Sequence, residues 1–286
     1  MKKALPTILI VLVFLAGIAV FLYPTVSNYL YAKNSSKAIT QHSENLSKLS
    51  PEVIAEEKEA VRRYNKSLFE NAVVLTDPFD PDAYPLTDGE YSELLAFDDV
   101  MAYIEIPAIG VYLPIYHGTE EETLLIGVGH LENTSLPAGG ESTHAVLSAH
   151  CGLPSARLFT DLNLLKEGSL FHIHVLDEIL TYQVYEIETV NPDDSSSLFI
   201  KEGEDIATLI TCTPYGKNTH RLLVHGKRIE ENEDTLIEEP KIEKKMTWED
   251  YTKIAAMAIT VVFVLLLSGG AVTALIRRKN KNEKAD

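Results

Sequence analysis

Cysteine is scarce in this chain, with two in 286 residues, and that excludes a disulfide-rich scaffold and a four-cysteine zinc site. Basic residues are in deficit: 25 Lys and Arg face 42 Asp and Glu, for a formal net charge of −17. So acidic a surface repels phosphate backbones, which argues against nucleic acid as a partner. Internal repeats are missing, so a solenoid or propeller is not expected. No acidic cluster has the spacing of a calcium loop, and no metal or cofactor is expected. What is present is apolar mass: a hydrophobic fraction of 45% is enough to bury a full domain core, which rules out an intrinsically disordered chain.

That apolar mass is unevenly spread. Residues 4–32 carry no charge, and their first part, 5–22, is almost wholly apolar. A second uncharged run covers 254–276 and would form roughly 34 Å of helix against a hydrocarbon core of about 30 Å. Lys2 and Lys3 precede the first run, and Arg277, Arg278, Lys279, Lys281 and Lys284 follow the second. The positive-inside bias then puts both ends in the cytoplasm and the middle outside. A cleaved signal peptide is the competing reading of the first run, but no small-x-small site follows it.

The expected division is a cytoplasmic N-terminus at 1–3 and a transmembrane helix or uncleaved signal anchor at 4–23. An extracytoplasmic helical region at 24–71 comes next, then a proline-rich loop at 72–90 and a β-domain at 91–230. An acidic linker at 231–253, a transmembrane helix at 254–276 and a basic cytoplasmic tail at 277–286 complete it. In the helical region Ser50 fits an N-cap with Pro51 at the first helical position, and Val53, Ala60, Val61, Tyr64 and Leu68 recur at helical spacing. Residues 34–49, with few large apolar side chains, suit a solvated stalk.

Strand character is expected at 101–106, 111–116, 144–149, 170–176, 179–190, 206–212 and 221–229, with turn signals between them. Short strands at this density imply a closed barrel or a sandwich. A helix at 120–126 and a helical turn at 155–165 are the expected exceptions.

Cys212 ends one apolar strand, and a turn leads to Arg221 on the next. Paired as a hairpin, they stand together at its open end, where a guanidinium favours thiolate and can hold a developing oxyanion. A cysteine nucleophile also needs an acid for its leaving amine. Spacing alone does not choose among His130, His144, His150, His172, His174 and His220, although His150 closes a strand and opens a loop. Competing readings are a core cysteine, a Cys151–Cys212 disulfide and a metal held by His172 and His174.

Thr208-Leu209-Ile210-Thr211-Cys212, with Arg221 nine residues later, resembles the TLxTC signature of the sortases. The stretches 127–132, 134–137, 139–144, 150–154, 213–216 and 218–224 are similar to the class C, pilus-assembling subgroup, and the likeness covers roughly 72–229. The resemblance implies a closed sortase-type β-barrel of about eight strands with short helices. It implies Cys212 as nucleophile, His150 as general acid/base and Arg221 as the transition-state cation. Asp77-Pro78-Phe79 resembles the subgroup's lid, in which the aspartate approaches the arginine and the aromatic covers the cysteine. Thr208, Leu209, Thr211 and His130 are the substrate-groove candidates.

The same resemblance implies a membrane-anchored transpeptidase of the Gram-positive cell surface. It would cut a pilin's LPxTG-like signal through a Cys212 thioester and join it to a pilin lysine. The alternatives are a housekeeping-type sortase, a cysteine peptidase or a non-enzymatic disulfide-stapled domain. Two positions depart from the subgroup pattern: Cys151 stands where a basic residue is common, and His225 where an arginine is.

Overall fold

The computed structural model describes residues 5–71, 73–80 and 89–230, together with 251, 252, 255, 256, 258 and 259. Residues 1–3, the acidic linker, the second membrane span and the basic tail lie outside them, those last six positions apart, as does 81–88 of the proline-rich loop. Two compact units are formed, 1–27 with 244–286 and 28–243.

In the first unit the apolar N-terminal run is helical, the start of α1 (Leu5–Leu46). Its Val13 and Val20 side chains are exposed, which suits lipid better than water. It is the one helix among the described residues long and apolar enough to cross a membrane. α1 passes through Pro24 and continues to Leu46.

In the second unit the stalk expected at 34–49 is packed instead, with Ser35, Ile39 and His42 buried on the inner face of α1. His42 Nδ1 and Asn45 Nδ2 both reach the Asp98 carboxylate at 2.9 Å, polar contacts that an apolar count overlooks. α2 (Pro51–Glu70) starts at Ser50, whose hydroxyl accepts from the Val53 amide, and Pro51 follows as its first residue. Val61, Tyr64 and Leu68 are buried on its inner face, while Val53 of the same stripe is exposed near the free first turn. Buried Asn65 fastens α2 to the domain by pairing with both the amide and the carbonyl of Leu136, at 2.8 and 3.2 Å.

The domain itself is a closed eight-stranded barrel. Its strands are β1 (Ala102–Ile106), β2 (Val111–His117), β3 (Val128–His130), β4 (Thr143–Ser148), β5 (Leu170–Val175), β6 (Glu178–Val190), β7 (Asp205–Thr213) and β8 (His220–Arg228). Around the barrel they run β1-β2-β3-β4-β7-β8-β6-β5, with β2–β3 and β4–β7 parallel and the remaining pairs antiparallel. Seven strands fall where alternation predicts them. β3 does not, because three residues cannot display a period. Two short helices, α3 (Gly89–Glu93) and α4 (Glu121–Ile126), complete the unit. The turn expected at 155–165 reduces to a single 3-10 turn at Leu162–Leu164.

Period-2 alternation sorts the side chains of β4, β7 and β8 into two sets. Ala145, Leu147, Ala207, Leu209, Leu222 and Val224 enter the main core with Phe171 and Tyr182. Val146, Ile210 and Leu223 point the other way and form a second apolar cluster with Leu131 and Leu198. Inside the barrel a methyl on Gly226 would lie 2.4 Å from the Phe171 ring, which stacks on Tyr182 at 5.4 Å between centroids. Gly226→Ala is therefore expected to destabilise the fold by about 1–3 kcal/mol, read as a lower urea midpoint.

Candidate active site

Strand order brings the three separated residues together. β7 lies between β4 and β8, so the ends of all three meet at one rim. Cys212 and Arg221 are direct partners in the antiparallel register of β7 and β8. On the other side β4 runs parallel to β7 with Ser148 opposite Ile210, which carries His150, two residues further on, alongside the Cys212 end of β7. Cys212, His150 and Arg221 thus share the face that carries Val146, Ile210 and Leu223, outside the barrel core. A bridge at 2.7 Å from the Thr211 hydroxyl to the Ala149 carbonyl locks the two strands just before the site.

The loop after β4 holds His150 in place. The Phe159 amide donates to the His150 carbonyl at 3.1 Å, and the Gly152 amide donates to Thr160 Oγ1 at 3.0 Å. Gly152 has φ +80°, and a Cβ there would come 2.9 Å from the Tyr215 ring, so both conformation and space require glycine. His150 Nε2 is enclosed without a hydrogen-bond partner, and the Glu121 Oε2 of α4 lies 3.3 Å from it. Sequence reasoning missed Glu121, because nothing distinguishes it from Glu120 and Glu122 until the barrel closes.

Residues 73–80 lie over this rim. The Asp77 carboxylate accepts two bonds from Arg221, from Nε at 2.8 Å and Nη2 at 2.5 Å, and both side chains are about nine-tenths buried. Arg221 Nη1 donates to the carbonyls of Asn218 and His220, so its fork is filled on both sides. The Phe79 ring lies 5.1 Å from the guanidinium carbon and 5.6 Å from the centre of the His150 ring. Leu75 and Phe79 also pack on the second apolar cluster. Pro78 lies in a tight turn closed by the Asp80 amide on the Asp77 carbonyl at 3.1 Å. Asp77 thus meets Arg221, and Phe79 lies against Arg221 and His150.

Cys212 is 7% exposed, and burial pushes its thiol up to about 11. Arg221 pulls it down, while Asp77 and Cys151 push it further up. In this closed arrangement the sulfur is protonated at neutral pH. Alkylation of Cys212 is therefore expected to rise close to tenfold per pH unit from 7 to 10, without the plateau near 9 of a free thiol. Stopped-flow reaction with a maleimide measures it.

Both cysteines are free, so the disulfide-stapled alternative fails and the thiol is available for chemistry. The four groove candidates are also corrected. Thr208, Leu209 and His130 are fully buried, and Thr211 is 2% exposed. Leu209 fills the barrel core, and the Thr211 hydroxyl serves the Ala149 carbonyl. His130 is held by Tyr91 and the Ser135 carbonyl, and burial lowers it to about 4. None of them lines open surface, because β7 and β3 are covered on both faces. His172 and His174 do not share a ligand site either: His172 meets the Thr181 hydroxyl, and His174 stacks on Tyr103 beside Glu105.

Comparison with known proteins bears on the family of the barrel domain. The family model described as "Sortase domain" matches residues 104–229. Sortase C-1 of Actinomyces oris superposes with a TM-score of 0.61 at 47% identity, covering 63% of this chain and 100% of that one. Sortase C of Streptococcus pneumoniae, a structure described as informing pilin substrate specificity, gives 0.63 at 42% identity over 68% of this chain and 97% of that one. Sortase D of Bacillus subtilis is 30% identical over 129 residues, 44% of this chain and 62% of its own length. The chain thus spans between about half and two thirds of the first curated relatives it matches.

A closed eight-stranded mixed barrel with this strand order, Cys212 and Arg221 paired across β7 and β8, is the architecture of a sortase-type domain. The chain belongs to the sortase family, and its likeness to solved sortase C structures places it in the class C subgroup.

Proposed function

We propose that this chain is a membrane-anchored transpeptidase that polymerises pilin. The observation that carries the reading is the pairing of Cys212 with Arg221 across β7 and β8, with His150 at the adjacent strand end. Cys212 is the nucleophile, His150 the general acid and base, and Arg221 the oxyanion partner. Residues 73–80 act as a lid that is closed at rest. When it lifts, Asp77 releases the guanidinium and Phe79 uncovers the sulfur.

The thiolate attacks the threonine carbonyl of an LPxTG-like signal, and the oxyanion of the tetrahedral intermediate faces Arg221. Collapse breaks the Thr–Gly bond, His150 gives its proton to the departing glycine amine, and a thioester remains on Cys212. A pilin lysine amine then attacks the thioester and gives a proton to His150. An amide forms, and the thiolate leaves. At reference pKa values of about 8.5 and 6.5, only about a per cent of molecules at pH 7 hold thiolate and imidazolium together. Lid opening, by rehydrating the sulfur and freeing Arg221, enlarges that fraction.

The apolar start of α1 anchors the chain, and the lysines and arginines at the two ends place both termini in the cytoplasm, so the barrel faces the cell wall. The test is incubation of the full chain in detergent micelles with an LPxTG-type peptide, with and without an amine acceptor. Intact-mass spectrometry is expected to show an acyl adduct on Cys212 that amine converts to amide product. An adduct that only water resolves would make the chain a peptidase. No adduct, even from Asp77→Ala, would overturn the reading.

A further inference from the structure

Four residues before Cys212 on the same face of β7, a polar row crosses four adjacent strands in the order β4, β7, β8, β6. His144 Nδ1 lies 3.1 Å from the Phe199 carbonyl, and His144 Nε2 lies 2.6 Å from Thr208 Oγ1. Thr208 Oγ1 is 2.7 Å from His225 Nδ1, and His225 Nε2 is 3.1 Å from Glu188 Oε1. His144, Thr208 and His225 are each at most 1% exposed, so water does not mend a mismatch among them, whereas the Glu188 side chain at the outer end of the row is 31% exposed.

Counting protons along the row gives a definite result. A carbonyl only accepts, so His144 Nδ1 carries hydrogen. With His144 neutral, Nε2 is bare and takes the single hydroxyl proton of Thr208. His225 Nδ1 must then donate to the Thr208 oxygen. A neutral His225 would leave a bare Nε2 facing an ionised Glu188, two lone pairs 3.1 Å apart. Reversing the row lets His225 donate to Glu188, but then Thr208 donates to His225 and His144 must be an imidazolium. Either polarity needs one proton more than two neutral imidazoles and a carboxylate supply.

We propose that the Glu188–His225–Thr208–His144 row is a proton-binding site, buried except at Glu188, holding one proton at neutral pH between the His225 ring and the Glu188 carboxyl. Burial lowers His144 to about 4, which disfavours the reversed polarity. Burial lowers His225 below its ordinary value as well, and Glu188 only partly opposes that, so it is the donor-acceptor count of the row, not the ring's own basicity, that puts the extra proton at the His225–Glu188 contact. Glu186 and Tyr185 from β6, with Lys201 and Glu204 from the connection between β6 and β7, also face the row. Through Phe199 the row pins that connection, whose Leu198 lies in the apolar cluster beneath the candidate active site.

The consequence has a fixed sign. Above the reference histidine value of about 6.5 the unfolded chain has lost the protons of both groups, while the folded chain keeps one. Stability therefore falls as pH rises, the unfolding constant gaining about tenfold per pH unit from this proton alone. Glu188→Gln presents an amide N–H to the bare His225 Nε2 and completes the row without the extra proton.

The experiment is urea unfolding of the full chain in detergent micelles, followed by circular dichroism between pH 7 and 8.5, for wild type and Glu188→Gln. The slope of log unfolding constant against pH is expected to be steeper by about one in the wild type. Equal slopes overturn the proposal. Should the variant fail to fold, 15N-histidine spectra of the wild type decide. A bridging proton at His225 Nε2 that is lost on raising pH supports the site. Two neutral rings beside an ionised carboxylate at pH 7 overturn it.

Discussion

Cys212→Ala is expected to remove the acyl adduct and to lower peptide turnover by at least about 10⁴-fold, the scale on which loss of a nucleophile acts in a group of cooperating residues. The side chain is 7% exposed, and alanine keeps its Cβ, so the barrel and its urea midpoint should change little. That separation makes the result informative, since lost activity with retained stability assigns the loss to sulfur. Because the three residues act as a unit, adding His150→Ala to Cys212→Ala should cost almost nothing further. Single-turnover assays by mass spectrometry measure both.

The second large effect concerns access to that sulfur. Asp77→Ala deletes both bonds that tie residues 73–80 to Arg221, and Phe79→Ala deletes the ring lying against Arg221 and His150. If the closed form is held by about 1–3 kcal/mol, the open form is roughly one molecule in five to one in a hundred and sixty. Either variant is expected to speed alkylation of Cys212 by about 5- to 100-fold at pH 7. Asp77→Ala should give the larger change, because it also removes a carboxylate that raises the thiol. An unchanged rate in both would show that the segment does not govern the site.

Much of this arrangement is legible before any coordinates. The hairpin between β7 and β8 follows from two apolar runs around a proline-glycine turn, and its register brings Cys212 to Arg221 by local geometry. The choice of His150 is not local: it depends on β4 pairing with β7 across almost sixty intervening residues, and on parallel pairing, which no turn signal announces. β3 is hidden for a related reason, being too short for alternation and parallel to β2.

The groove candidates failed because a sequence gives the alternation of side chains but not what covers each face. Thr208 and Thr211 lie on opposite faces of β7, and both are covered, one by His144 and His225 and the other by the barrel interior. The packed first half of the helical region was missed because its attachment to Asp98 is polar. Apolar periodicity carries no trace of such a fastening.

The Asp77–Phe79 segment is covalently part of the molecule whose Arg221 and His150 it lies against. Its effective concentration at the rim is therefore fixed by the chain and does not fall on dilution or with cell density. Any peptide tail competing for the rim meets the same threshold at every enzyme concentration, and its apparent affinity is its intrinsic affinity scaled down by the open fraction. A tail presented at high local density, as on a crowded membrane, overcomes that threshold more readily than a dilute soluble peptide does.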